Sequence, residues 1–159
     1  SKNKSTIDRR KTMLTFVNEQ DMIDFGEKLA SYLFPGAILT LEGDLGAGKT
    51  TFTKGIGKGL GIQKIINSPT FTIVKIYQGN LPLYHFDAYR LEGQNEELGF
   101  EEMFEDEGVC VIEWPIYIQD ILPQERLDIT ITKNNDESRT FAFQAKGDRY
   151  QNIVKELKL

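Results

Sequence analysis

The sequence predicts a single α/β domain with a mixed, mainly parallel central sheet flanked by helices and β-hairpins. Three observations carry that reading. Residues 37–41 (AILTL) and 109–112 (VCVI) are short and almost wholly apolar, as strands covered on both faces are. Stretches with apolar residues at helical spacing are interspersed among them. Two pairs of strand-like segments each flank a polar turn, the signature of a hairpin, and the second pair alternates.

The elements follow in order. Residues 1–12 carry five Lys/Arg against Asp8 and offer only Ile7 as a large apolar group, so they read as a disordered basic tail or an expression remnant. A basic arm for RNA or a partner is the alternative. Patterned sequence begins at Met13, and 13–159 forms the expected domain. Asn18 is placed to cap a helix running to about Leu33, because Met22, Phe25, Leu29 and Leu33 share one stripe. Phe34-Pro35-Gly36 ends it, and the strand at 37–41 follows. A second helix spans about Lys49 to Leu60, with Phe52, Ile56 and Leu60 spaced by four. Its glycines, Gly55, Gly57 and Gly59, predict close packing on the sheet or an early end. Strands at Thr70–Tyr77 and Leu81–Asp87 meet at the turn Gln78-Gly79-Asn80. One short helix is expected in the acidic stretch, then the buried strand Val109–Ile112. Leu127–Ile131 and Thr140–Ala145 form the second hairpin, and Asp148 is expected to cap a last helix.

Composition narrows function before any motif does. With 40% apolar and 27% charged residues, the chain has the make-up of an ordinary globular domain. A single cysteine, Cys110, excludes an internal disulfide, and its apolar neighbours make it a small core hydrophobe. A lone histidine, His85, excludes a multi-histidine metal site. No apolar run approaches the roughly 18 residues of a bilayer span, and no apolar stretch follows the N-terminal basic residues. The expected location is the cytoplasm, with no membrane partner. Net charge is −5, and residues 13–159 hold fourteen Lys/Arg against twenty-three Asp/Glu. Between Leu91 and Gly108 stand eight acids and no base: Glu92, Glu96, Glu97, Glu101, Glu102, Glu105, Asp106 and Glu107. That surface repels a phosphate backbone, and serves either as a solvated face or as a docking face for a basic partner.

Gly43-Asp44-Leu45-Gly46-Ala47-Gly48-Lys49-Thr50 matches G-x-x-x-x-G-K-[ST] at every fixed position, between an expected strand and an expected helix. A chance match in a chain this long arises about once in two hundred, given ordinary residue usage. Glycines let backbone N–H groups turn around phosphate oxygens, and the helix N-terminus adds its positive end. Lys49 is the candidate for the β- and γ-phosphates, and Thr50 for Mg²⁺. The fold is thereby predicted to be that of a P-loop NTPase.

Nucleotide hydrolysis also needs carboxylates. Val109–Ile112 ends in Glu113, which a core strand would deliver beside the loop. Leu83–Phe86 ends in Asp87, on the same strand face as Leu83 and His85. Glu113 is assigned to Mg²⁺, directly or through water. Asp87 is assigned to orienting or deprotonating the attacking water, and the two could exchange roles. His85 reads either as a donor behind these acids or as a structural histidine. Ser68-Pro69-Thr70 reads either as a segment sensing a γ-phosphate or as a plain turn. No N-K-x-D reads guanine and no D-x-x-G follows Asp87. The arginines beyond residue 12 (Arg90, Arg126, Arg139 and Arg149) do not cluster as on a kinase lid. ATP is therefore the expected nucleotide and hydrolysis the expected reaction.

Taken together, GDLGAGKTTFTKG, NSPTFT, YHFDAYRL and VCVIEWP, in this order and spacing, resemble the bacterial TsaE family, the ATPase component of tRNA threonylcarbamoyladenosine biosynthesis. The resemblance extends from about Met13 to Leu157. It implies an ATP·Mg²⁺-binding subunit that joins a carbamoyl-transferase subunit and its inactive paralogue. That complex modifies the adenosine next to the anticodon in tRNAs reading ANN codons, and tRNA is met indirectly, through the complex. ATP hydrolysis would reset the complex between turnovers. By position, the resemblance assigns the phosphate loop to Gly43–Thr51 and the Mg²⁺ ligands to Thr50 and Glu113. It makes Asp87 the catalytic acid residue and Ser68-Pro69-Thr70 switch-like. Glu19 and Arg139 fall where the family contacts nucleotide.

Overall fold

The computed structural model describes residues 12–69, 72–91 and 99–159. Among the described residues seven strands form one sheet: β1 (Thr12–Phe16), β2 (Ile38–Glu42), β3 (Val74–Tyr77), β4 (Leu83–Asp87), β5 (Val109–Glu113), β6 (Arg126–Lys133) and β7 (Arg139–Lys146). Their order is β1-β7-β6-β2-β5-β4-β3. The four central strands run parallel, and the antiparallel pairings lie at the two edges. This is the mixed α/β sheet that the apolar runs and hairpin turns predict.

Alternation distributes the core. Leu39 and Leu41 of β2 and Val109 and Val111 of β5 point to the face covered by α1 (Glu19–Ala30), α2 (Lys49–Gly59) and α4 (Asp148–Glu156). Ile38, Cys110, Ile112 and Phe86 point to the opposite face, under the short helix α3 (Phe100–Phe104) and a 3₁₀ segment at Pro115–Ile121. Phe52 and Ile56 of α2 are fully buried against the sheet, each contributing about 1.5–3 kcal/mol of transfer free energy. Cys110 is wholly buried, and burial raises its thiol pKa to about 12, so it remains an inert hydrophobe.

The glycines of α2 do not pack on the sheet as expected: Gly55 and Gly59 face α1, and Gly57 faces the side chains of Ile62 and Ile66. A Cβ on Gly59 would lie 2.6 Å from the Glu27 carbonyl oxygen, and one on Gly55 would run into that of Ile23. On α1, a Cβ on Gly26 would meet the Phe52 carbonyl at 2.7 Å. Absent side chains on both helices bring their backbones together.

Several boundaries differ from expectation. Asn18 does cap α1, its Oδ1 accepting from the Asp21 N–H at 2.9 Å, but the helix ends at Ala30 rather than Leu33. The last helix is preceded by Gly147 at φ 103°, and Asp148 is its first residue instead of its cap. Thr12, assigned to the tail, opens β1, an edge strand that the sequence reading did not foresee. The expected strand at Thr70–Tyr77 is observed over Val74–Tyr77, while Thr70 and Phe71 lie outside the described residues. So do Glu92, Glu96 and Glu97 of the acidic stretch.

Candidate functional site

β2 ends at Glu42, the glycine-rich loop turns back over the end of the sheet, and α2 starts at Lys49. Gly48 precedes the helix at φ 114°, a left-handed conformation closed to most side chains, and a Cβ there would collide with the Met22 Cε. Gly46 has φ 81°. The loop is thus shaped by its own glycines and floored by α1.

Beside it lies a cavity of about 340 Å³. Leu45, Gly46, Gly48, Lys49, Thr50 and Thr51 contribute from the loop and helix start. Asp87 and Glu113 enter from the ends of β4 and β5, where they are register partners. Glu19, Met22, Ser68, Trp114 and Arg139 complete the wall. Gly43, Asp44 and Ala47 line a second cavity, of about 450 Å³, on the other side of the loop, which shares Leu45 and Trp114 with the first.

The polar groups are tied to one another. Lys49 is almost fully buried, and its Nζ donates to the Gly43 carbonyl at 2.6 Å. The same ammonium lies 3.8 Å from Glu113 Oε1 and 4.2 Å from the centroid of the Trp114 ring. Burial lowers its pKa, while the charges of Glu113, Asp87, Asp44 and Glu42 oppose that shift. Glu113 is buried, and its Oε2 lies 2.6 Å from His85 Nε2. Asp87 is half-buried. Burial raises its pKa; the Tyr89 N–H, donating to Oδ1 at 3.1 Å, lowers it, and the neighbouring Glu113 charge raises it again. Arg139 braces the loop from the start of β7, its Nε donating to the Ala47 carbonyl at 2.8 Å and its Nη2 to that of Gly46 at 3.3 Å.

Of the residues proposed for the site, Glu19, Lys49, Thr50, Thr51, Ser68, Asp87, Glu113 and Arg139 line this cavity, His85 touches Glu113 from behind, and Thr70 lies outside the described residues. Two neighbours had not been assigned to the site. Met22 underlies Gly48, where its place on the α1 stripe reads only as core. Trp114 adopts φ 57° and ψ 53°, a left-handed backbone rare outside glycine and common where a site holds strain. That turn aims its ring at Lys49, and Tyr89 packs edge-on against it at 5.2 Å. Its signal in the sequence is adjacency to Glu113.

The chain is similar to known proteins over most of its length. The model of the family described as "Threonylcarbamoyl adenosine biosynthesis protein TsaE" matches residues 16–141. A Bacillus subtilis protein named "tRNA threonylcarbamoyladenosine biosynthesis protein TsaE" is 52% identical over 142 residues, covering 89% of this chain and 90% of the relative. A Treponema pallidum protein of the same name is 41% identical over 122 residues, covering 76% of this chain and 90% of the relative. Among solved structures, the crystal structure of Bacillus subtilis YdiB matches with a TM-score of 0.84 and 43% sequence identity, covering 98% of this chain and 97% of that one.

Proposed function

The chain belongs to the TsaE family, and on that premise we propose that it is the ATP-binding and ATP-hydrolysing subunit required to form threonylcarbamoyladenosine in tRNA. One observation carries the reading: Lys49, Thr50, Asp87 and Glu113, supplied by three separate segments, line one cavity at the ends of parallel strands. Open α/β sheets bind their ligands at that end.

The backbone of Gly46–Gly48 and the first turn of α2 hold the phosphates, and Lys49 neutralises the β- and γ-oxygens. Asp87 orients the attacking water and accepts its proton, a task suited to a carboxylate whose pKa is raised. Thr50 and Glu113 hold Mg²⁺, and the donor set fits it. Among the described residues no group of three or more His, Cys, Asp or Glu is arranged to hold a metal unaided. Mg²⁺ characteristically takes one or two carboxylates together with substrate phosphates and water. When bound, it neutralises the charge that develops on the phosphates. Thr51, Glu19 and Arg139 line the same cavity and would contact the rest of the nucleotide.

Transfer of the threonylcarbamoyl group belongs to the partner transferase, which works with its inactive paralogue, and hydrolysis here resets that complex. The acidic surface keeps this subunit from gripping tRNA by itself. No helix among the described residues is long and apolar enough to cross a membrane. Reconstitution with the two partner subunits and tRNA tests the reading. Modified adenosine should accumulate only while ATP is consumed, and modification that is indifferent to this subunit or to ATP would refute it.

A further inference from the structure

Glu113 is fixed more tightly than a carboxylate at the end of a strand needs to be. Its backbone pairs with Leu41 of β2 on one side and Asp87 of β4 on the other. Its side chain, which would otherwise sample many rotamers, is tied at Oε2 by His85 Nε2 at 2.6 Å. His85 is wholly buried at mid-strand in β4, too deep to line the cavity itself. An ionised carboxylate accepts only, so the imidazole donates from Nε2. Nδ1 has no hydrogen-bond partner among the described residues. A buried polar atom left unpaired forfeits its hydration with nothing in return. That cost is unnecessary for core packing, since an apolar side chain would fill the place without it. The single bond to Glu113 is what the histidine contributes.

That bond divides the two oxygens of Glu113. Oε2 is committed to His85, while Oε1 faces the loop, 3.8 Å from the Lys49 ammonium. We propose that His85 is a positioning residue that presents Oε1 of Glu113 alone to the cation of the nucleotide complex, and that Lys49 covers this oxygen until phosphates draw it away. The inference rests on the ATP·Mg²⁺ reading above and adds to it an oxygen, a donor and an order of events. Lys49, held by Gly43, Glu113 and Trp114, has to release Glu113 before the carboxylate can serve a cation. Nucleotide therefore precedes or accompanies the metal, and the metal alone finds the oxygen already covered.

The experiment measures binding. ADP is titrated into the full chain with EDTA or with Mg²⁺, using Trp114 fluorescence and calorimetry, for the wild type, His85→Leu and His85→Gln. Leucine fills the space without a donor; the Gln amide nitrogen restores a donor near the position of Nε2. Partners of metal-binding carboxylates typically govern 10–100-fold in metal affinity. The strengthening of ADP binding by Mg²⁺ should fall about 10–100-fold in His85→Leu and recover in His85→Gln, while metal-free ADP affinity stays within about twofold. Mn²⁺ added without nucleotide should leave its free electron-spin signal undiminished by wild-type protein. Unchanged Mg²⁺ dependence in His85→Leu, or equal losses in both variants, overturns the positioning role. Tight Mn²⁺ binding without nucleotide overturns the covering by Lys49. A wild type that ignores ADP altogether overturns the ATP reading itself, an outcome distinct from the other two.

Discussion

Asp87 and Glu113 stand opposite each other in register at the ends of two adjacent parallel strands, so one end of the sheet presents paired carboxylates to the loop. The environment separates them. Glu113 is buried, bonded to His85 and within 3.8 Å of Lys49, whereas Asp87 is half-buried and bonded to the Tyr89 N–H. Neighbouring acids in unlike surroundings can divide the labour of holding a cation and taking a proton.

That separation has a signature in pH. Asp87 has its pKa raised above 3.8, chiefly by burial. Between the unfolded and folded values the native state binds more protons, so its contribution to stability falls as pH rises through that window. Asp87→Asn keeps the acceptor for Tyr89 and cannot ionise. Its melting temperature should exceed that of the wild type at pH 7, and the gap should close as pH drops towards 4. Turnover should fall about 10²–10⁴-fold if Asp87 takes the proton. A melting gap independent of pH would remove the titration argument.

Lys49 and Trp114 give a second expectation, one that needs no ligand. The ammonium lies 4.2 Å from the indole centroid, so Lys49→Ala should already shift Trp114 emission in the free protein. Because Trp114 is the only tryptophan, tryptophan emission reports the surroundings of this one ring. Saturating ATP·Mg²⁺ should move wild-type emission and leave the variant unmoved, its fold intact by circular dichroism. Identical free spectra for the two proteins would contradict the contact.

Gly55→Ala sets two effects against each other. Helix propensity alone favours alanine by about 1 kcal/mol. The new methyl would strike the Ile23 backbone carbonyl on α1, an atom unable to step aside as a side chain can. Overpacking of this kind costs about 1–3 kcal/mol, with backbone contacts at the upper end, so net destabilisation is expected. At about 2–4 °C per kcal/mol for a domain of this size, the melting temperature should drop by several degrees. A rise would show that α1 and α2 can separate freely.

How much of this was readable follows from where each signal resides. The loop was plain, because its glycines, lysine and threonine act through local backbone geometry, which local sequence encodes. The tight α1–α2 crossing was half-readable: the glycines of α2 announced close packing, but the sequence assigned it to the sheet, whereas Gly55 and Gly59 meet α1, a neighbour that only tertiary structure supplies. β1 escaped because Leu14 and Phe16, its inward residues, are only partly buried and follow directly on a basic run. His85 stayed between two readings, since alternation assigns a strand face without saying which neighbour the imidazole meets. The left-handed turn at Trp114 has no sequence mark, for it is imposed by packing on a residue that disfavours it.

The acidic surface bears on partners. On α3, Glu101 and Glu102 are exposed, and Glu105 follows the helix equally exposed. Beneath them Phe100 and Phe104 pack on Phe86, with ring centroids 5.2 and 5.5 Å apart. Phe86 immediately precedes Asp87, so a basic partner pressing on α3 has a short, packed route to the carboxylate assigned to the water. Replacing Glu101, Glu102 and Glu105 by lysine should leave ADP affinity unchanged, since none of the three lines the cavity. ATP turnover stimulated by the transferase subunits should fall several-fold, and raising salt should weaken the wild-type coupling in the same direction. Full coupling by the triple variant would show that this face is only solvated and that the partner docks elsewhere. Residues 13–159 alone should bind tRNA barely at physiological salt, because phosphate contacts supply most non-specific affinity and an excess of acids repels them.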